Sequence, residues 1–233
     1  MGFWTQVTDS ILNLFLRSNC PMCDRPTDEE VLCSTCSRAL RQLQFCPSHR
    51  RLYTCASKSM PVWVWGKYQG QLKGAIARLK YDNHPEIARP LGQWLGEAWI
   101  ATHTTKPVSP LVIPIPLHPE KLKQRGFNQA ERLAASFCQV TGFPLSTNGL
   151  IRSRETEAQF GKRADERRAN LKNAFTVNTA RISRDPHSPV LLLDDIYTTG
   201  ATVQSATQAL RYQGISVYGV VAIATTSTTQ PPN

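Results

Sequence analysis

The segment V-L-L-L-D-D-I-Y-T-T-G-A-T, residues 190–202, joins a strand signal to a turn shaped for an anion. Val190 to Leu193 are consecutive apolar residues, the pattern of a strand buried on both faces of a parallel sheet. Asp194 and Asp195 follow at its carboxyl end, where open α/β sheets bind their ligands. Two adjacent carboxylates are costly to bury for packing alone. Tyr197 leads into a loop of small residues, Thr198, Thr199, Gly200, Ala201 and Thr202, which opens a helix expected from Ala201 to Tyr212. Backbone N–H groups at a helix start suit a phosphate, the threonine hydroxyls add hydrogen bonds, and Gly200 lets the backbone approach the anion. One element therefore offers carboxylates for sugar hydroxyls and a cradle for a phosphate. No G-x4-G-K-[ST] pattern occurs, so a Walker phosphate loop is not supported.

Outward from this segment, strand and helix signals alternate. Ile215 to Ala224 reads as a further strand, with Gly214 placed to end the preceding helix. Upstream, Leu111 to Ile115 is a short apolar strand ending at Pro116. Asn128 is a good helix cap, and Ala130, Leu133, Ala134, Phe137 and Cys138 then share one face, which accounts for Cys138 as a core residue. Pro61 to Tyr68 reads as a strand. Leu72, Ala75, Ile76 and Leu79 mark one helix face, and Leu91, Trp94, Leu95 and Ala98 mark another. This succession predicts an α/β fold with a mainly parallel sheet. Trp63, Trp65 and Tyr68 admit two readings, a stacking platform for an aromatic substrate or strand residues packed in the core. Residues 3–16 have helical spacing and fit a helix packed on the main domain; a membrane-surface helix would want basic residues on its polar face.

Six of the seven cysteines lie in the first 55 residues. Cys20, Cys23, Cys33 and Cys36 form C-x2-C-x9-C-x2-C, two short knuckles that can offer four thiolates to one tetrahedral zinc. A segment this small has little core, so the metal would supply folding free energy directly. Cys46 and Cys55 fall outside the spacing and are expected to be core thiols, with His49 a reserve ligand near them.

The 233 residues are 41% hydrophobic and 19% charged, which excludes wholesale disorder. No apolar run reaches the length of a membrane span, and Asp9 ahead of Ile11 to Leu16 does not read as a signal peptide, so a cytoplasmic protein is expected. With 27 Lys+Arg against 17 Asp+Glu the net charge is +10, which suits a polyanionic partner, whether nucleic acid, a membrane surface or a small phosphorylated molecule.

Residues 190–202 resemble the phosphoribosyl pyrophosphate (PRPP) motif of type I phosphoribosyltransferases. The wider chain, from about 20 to 224, resembles the ComF family of competence-associated, phosphoribosyltransferase-like proteins. C-P-M-C…C-S-T-C resembles that family's zinc module, and Leu79-Lys80-Tyr81 with Ala88-Arg89-Pro90-Leu91-Gly92 its next block. I-P-I-P-L-H-P-E-K-L-K-Q-R-G-F-N-Q-A (113–130) resembles its most telling block. The segment with Arg152, Arg154, Thr156, Gln159, Glu166, Arg167, Asn170, Ala174 and Phe175 resembles its flexible loop, although Lys162-Arg163 stand where the family often has Leu-Ser and Asn173 where it has Gly.

The resemblance implies a type I phosphoribosyltransferase-like sheet flanked by helices, at 61–225, after an N-terminal helix and small four-cysteine zinc module at 1–60 and before a flexible tail at 226–233. It implies that Asp194 and Asp195 hold ribose hydroxyls, that Tyr197 and the 198–202 loop surround the 5′-phosphate, and that Leu117, His118, Arg125 and Gln129 approach the pyrophosphate. Arg125 with the two aspartates would be catalytic. Physics allows two readings of Arg125, a bidentate phosphate ligand or a surface arginine at a helix start. Arg152, Arg154, Gln159, Arg163 and Arg167 would lie on a mobile lid. The implied cofactors are structural Zn2+ and Mg2+ bound with PRPP. The implied role is DNA uptake in natural competence, either as a phosphoribosyl transferase or as a PRPP sensor, with a DNA-uptake helicase or single-stranded DNA as partner. Arg38, Arg41, Arg50 and Arg51, near the zinc module, are where DNA contact would be sought first.

Overall fold

The computed structural model describes residues 18–27, 30–46, 51–52, 60–103, 109–152, 174–182 and 188–226. In chain order these form α1 (Ser34–Arg41), β1 (Arg51–Leu52), β2 (Val62–Lys67), α2 (Gly70–Tyr81), α3 (Ala88–Thr102) and β3 (Leu111–Pro114). There follow α4 (Pro119–Arg125), α5 (Gln129–Thr141), β4 (Leu150–Arg152), β5 (Phe175–Val177), β6 (Val190–Tyr197), α6 (Ala201–Tyr212) and β7 (Val217–Thr225).

Five strands make one sheet in the order β1-β2-β7-β6-β3. β2, β7, β6 and β3 run parallel, and β1 is an antiparallel edge on β2. The parallel strands are covered on both sides, which is why they read as apolar runs. Successive residues point to opposite faces. Val112, Leu191, Leu193, Val221 and Ile223 pack under α2, α3 and α5, whereas Ile113, Val190, Leu192, Val220 and Ala222 pack with α6 and the β4–β5 hairpin. The predicted core faces are buried as expected: Leu72, Ala75, Ile76, Leu79, Leu91, Leu133 and Phe137 are fully enclosed. α3 and α5 cross closely because Gly92 sits on the backbone of α5; a Cβ there would lie 2.5 Å from the Leu133 carbonyl oxygen.

The N-terminal module packs on the same face as α2. Cys20, Leu32 and Leu40 join the core cluster that contains Leu72, Ala75 and Ile76. The Met22 methyl reaches to 4.0 Å of the position a Cβ would take at Gly74 on α2. Cys46 is exposed, so the expectation of a core thiol fails there. Cys55, His49 and the proposed helix over 3–16 lie outside the described residues. Among the described residues no helix is long and apolar enough to cross a membrane.

The parallel strands all end on one side of the sheet. β3 makes its last pairing at Pro114 with Leu193, while β6 continues beside β7 to Tyr197 opposite Thr225. Asp194 and Asp195 therefore emerge where β3 has left the sheet and its chain turns away toward α4.

Candidate ligand site and cysteine cluster

The two aspartates face opposite sides of β6, as strand alternation requires. Asp195 points to the α2 and α5 side and is 4% exposed, whereas Asp194 is half-buried. Asp194 Oδ1 accepts a hydrogen bond from the Asp195 backbone N–H at 2.8 Å. Lys80, the penultimate residue of α2, places its Nζ on Asp195 Oδ2 in a close ion pair. Gln129 Nε2 lies 3.5 Å from Asp195 Oδ1, and Gln129 Oε1 accepts a short hydrogen bond from Arg125 Nη1. The Arg125 guanidinium lies over the Tyr81 ring, 5.6 Å from its centroid. Tyr81 follows Lys80 in the chain, so the network closes on itself: Lys80, Asp195, Gln129, Arg125, Tyr81.

The R-G-F-N-Q turn explains how Arg125 and Gln129 meet. Gly126 takes the left-handed conformation (φ 79°) that ends α4, with its N–H on the Leu122 carbonyl. Phe127 then plugs the core, and Asn128 starts α5. Asn128 accepts from the Ala130 N–H and donates to the Ile115 carbonyl, each at 3.1 Å, tying the helix start to the exit of β3. Asn128 is thus a cap, as its sequence position suggested. His118 also caps: its Nδ1 accepts from the Glu120 N–H at 3.4 Å, at the start of α4. Leu117 beside it is half-buried.

Burial, and then the charge of Asp195, push the Asp194 carboxyl well above the usual carboxylate range. Burial also pushes Asp195 upward, but the Lys80 ammonium and its hydrogen bond outweigh it and leave the group below the ordinary value. Burial would lower Lys80, yet Asp195 overrides that effect and the lysine is held above its ordinary value. The two neighbouring carboxyls are therefore split, one kept charged and one prone to hold its proton.

Beyond Tyr197, which is buried, Thr198 and Thr199 are exposed and Gly200 adopts φ 75°. That left-handed turn is open to glycine without a Cβ penalty. α6 begins at Ala201 with no side-chain cap from Gly200, and Thr199 Oγ1 accepts from the Ala201 N–H at 3.4 Å. Thr198 and Thr199 thus stand exposed beside the first-turn N–H groups of α6, donors of the kind that suit an anion.

Of the expected lid residues, Arg152 is described: it ends β4, with its guanidinium 5.5 Å from the centroid of the Phe175 ring on the paired strand β5. Arg154, Gln159, Arg163 and Arg167 lie outside the described residues. Trp65 is buried in the core and Trp63 stacks on Tyr218 at the amino end of the strands, so packing accounts for both. Tyr68 alone of the three aromatics stands at the carboxyl end, where its N–H donates to the Thr225 carbonyl at 2.8 Å. Lys80 and Tyr81 had no assigned role in the sequence. A signal was present, since Lys80 continues the Leu72–Ile76 row at four-residue spacing, and a lysine on an apolar helix face needs a partner.

The four cysteines form a compact cluster, with all four sulfurs within 4.8 Å of one another. A tetrahedral zinc with bonds of about 2.3 Å separates its sulfurs by about 3.8 Å, so the donor set fits the ion. Cys20 O accepts from the Cys23 and Asp24 N–H groups, and Asp24 takes φ 61° to close this knuckle. Cys33 caps α1, accepting from the Cys36 N–H at 3.5 Å, and lies 3.6 Å from the Cys23 sulfur. That N–H is the main reason the Cys33 thiol is lowered to about 7, whereas burial raises Cys36. Near the module, Arg41 is engaged by Glu97 at 3.1 Å and by the Trp94 ring at 5.0 Å, leaving exposed Arg38 as the freer of the two.

Comparison with known proteins gives relatives across most of the chain. Competence protein F of Haemophilus influenzae is 31% identical over 209 residues, covering 83% of this chain and 90% of the relative. DNA utilization protein YhgH of Escherichia coli K12 is 30% identical over 210 residues, covering 84% and 90%. Competence protein ComFC of Bacillus subtilis is 28% identical over 198 residues, covering 84% and 72%. No family model matches the chain. Among solved structures, adenine phosphoribosyltransferase from Leishmania donovani aligns with TM-score 0.40 and 16% identity, over 82% of this chain and 67% of that one.

Proposed function

The chain belongs to the ComF family of competence proteins, and from that premise we propose that it binds PRPP, or a closely related sugar phosphate, at the carboxyl end of β6. The observation that carries this reading is the direct run from the acidic pair through exposed Thr198 and Thr199 into the start of α6, where Gly200 supplies no side-chain cap. Asp194 and Asp195 take ribose hydroxyls, and residues 198–202 take the 5′-phosphate. Arg125 faces the same end of the sheet through Gln129, which favours its reading as a ligand for pyrophosphate over that of an unattached surface arginine.

In transfer chemistry the bond from ribose C1 to pyrophosphate breaks as a nucleophile arrives, and negative charge grows on the departing group. Mg2+, where bound with the ligand, would neutralise charge on that group. The protein's residues hold the sugar and orient the phosphates. A PRPP-responsive module without transfer would use the same contacts. The acceptor side separates the two, because pyrophosphate release in the presence of an added nucleobase requires transfer.

Titration calorimetry with PRPP and Mg2+ tests the site. Wild type should bind, and the combined Asp194→Ala and Asp195→Ala variant should not; equal heats for both would sink the assignment. The cysteine cluster is proposed to hold one structural zinc, which elemental analysis of the purified protein reads directly. The names of the relatives place them in competence and DNA utilization, and the same setting is proposed for this chain, with single-stranded DNA or an uptake helicase as partner. Binding to single-stranded DNA should weaken steeply as salt rises.

A further inference from the structure

Lys80 is not part of the nucleotide-like motif at 190–202, and it lies 115 positions before the carboxylate it touches. Its side chain is 15% exposed and that of Asp195 5%, so the pair is largely removed from water. A buried ammonium on the apolar face of α2 would be costly without that partner. Asp195, in turn, has Asp194 as its immediate neighbour. Without a cation beside it, two adjacent enclosed carboxyls would compete for one proton.

We propose that Lys80 is a positioning residue for the ligand: seated on Asp195 Oδ2, it fixes the orientation of that carboxylate and preserves its charge, so that Asp195 can accept hydrogen bonds from sugar hydroxyls. This rests on the PRPP-site reading above and adds to it the residue that sets one of its two acidic groups. The surrounding geometry supports the assignment. The same carboxylate is approached from the other side by Gln129, which is itself held by Arg125. Arg125 lies over Tyr81, the residue next to Lys80. Two separate stretches of chain thus converge on a carboxylate carried by a third, and Lys80 supplies the cation in direct contact with it. The lysine is placed to act through Asp195 rather than to touch the sugar, so its removal should damage ligand binding in a way that depends on the charge state of Asp195.

The test is PRPP affinity, with Mg2+ present, for wild type, Lys80→Met and Lys80→Arg between about pH 6 and about pH 8.5. Asp195 in Lys80→Met has lost its counter-charge and should hold a proton. Affinity at neutral pH should fall by about tenfold for each unit by which that carboxyl's pKa exceeds the assay pH, and should recover as pH rises. Wild type should show no such recovery, and Lys80→Arg should stay within about threefold of wild type because it keeps the charge. Where the Met variant does not fold, Lys80→Gln takes its place; it keeps a donor without a charge and should lose affinity in the same pH-dependent way. Unchanged affinity in a folded, uncharged variant overturns the role of Lys80 while leaving the ligand site intact. A loss that is the same at every pH also overturns it, because a packing defect has no reason to track a carboxyl titration. Failure of wild type to bind PRPP overturns the site reading itself, and the positioning role with it.

Discussion

The Lys80–Asp195 pair can be measured without any ligand through a cycle of Lys80→Met, Asp195→Asn and the double variant. At an effective dielectric of about 20, unit charges about 4 Å apart attract by about 4 kcal/mol. With side chains 15% and 5% exposed, little of that is screened by solvent. Removing one partner leaves the other buried and uncompensated, so each single variant should lose about 3–5 kcal/mol. The double variant removes both charges and leaves side chains of similar size, so its loss should be far smaller than the sum, about 1–2 kcal/mol. Urea unfolding followed by tryptophan fluorescence gives the stabilities, provided the denaturant slopes agree. A coupling of about 4 kcal/mol or more is expected. Asp195 is held below its ordinary value, so its contribution is present above about pH 3.9, the unfolded value, and is lost as pH falls through the folded one. Lys80 is held above its ordinary value, so its contribution is present below about pH 10.4 and is lost as pH rises through the folded one. The wild-type pair should therefore stay charged between these limits, whereas the loss in Lys80→Met should grow as pH rises and its uncompensated Asp195 gives up its proton. Additive single-variant losses, within about 0.5 kcal/mol, would refute the ion pair as the organiser of this site.

Asp194 should behave in the opposite sense, because its folded value is raised: its charge costs stability at high pH, and that cost is relieved as pH falls through the folded value. Thermal unfolding of Asp194→Asn relative to wild type should show the variant gaining ground as pH rises, and no such trend would contradict the assigned shift. Cys23→Ser should abolish the zinc found by elemental analysis and destabilise the module, since structural zinc contributes folding free energy outright. Gly92→Ala places a Cβ 2.5 Å from the Leu133 carbonyl oxygen, and the forced separation of α3 from α5 should cost about 1–3 kcal/mol in denaturant unfolding.

Much of the fold was legible because periodicity follows from geometry. The apolar run at 190–193 and the faces at 72–79 and 130–138 record which surfaces are covered, and burial matches them. The Gly200 turn was legible because a left-handed residue favours glycine. The site's internal wiring was less legible. Gln129 and Arg125 lie four residues apart, but their contact depends on the Gly126 reversal and the Phe127 plug, which are three-dimensional facts. His118 was expected near pyrophosphate, yet its ring nitrogen serves the start of α4, a role that a histidine followed by Pro119 at a helix start could have suggested. Lys80 carried a readable oddity, a charge in an apolar row, but periodicity does not name the partner. Asp195 stands on another strand, and the contact exists because α2 ends beside β6. Trp63 and Trp65 had a strand-like spacing that fits stacking and packing equally, and sheet position decided between them.

α2 also gives the cysteine module a physical route to the ligand site. One side of the helix carries Leu72, Ala75 and Ile76 into the cluster shared with Cys20, Leu32 and Leu40, and its last turn carries Lys80 to Asp195. The module therefore packs against the helix that carries Lys80. A four-thiolate cluster draws its rigidity from the metal, because a segment this small has little core of its own. Loss of the proposed zinc should then loosen α2 before it touches β6, whose strand is held in the sheet by β3 and β7 on either side. Chelation should consequently raise the amide exchange of the last turn of α2 and weaken PRPP binding together, while exchange in β6 and β7 stays slow. If exchange rises equally through α2 and the central strands, the module supports the whole domain and gives no selective support to the Lys80–Asp195 contact.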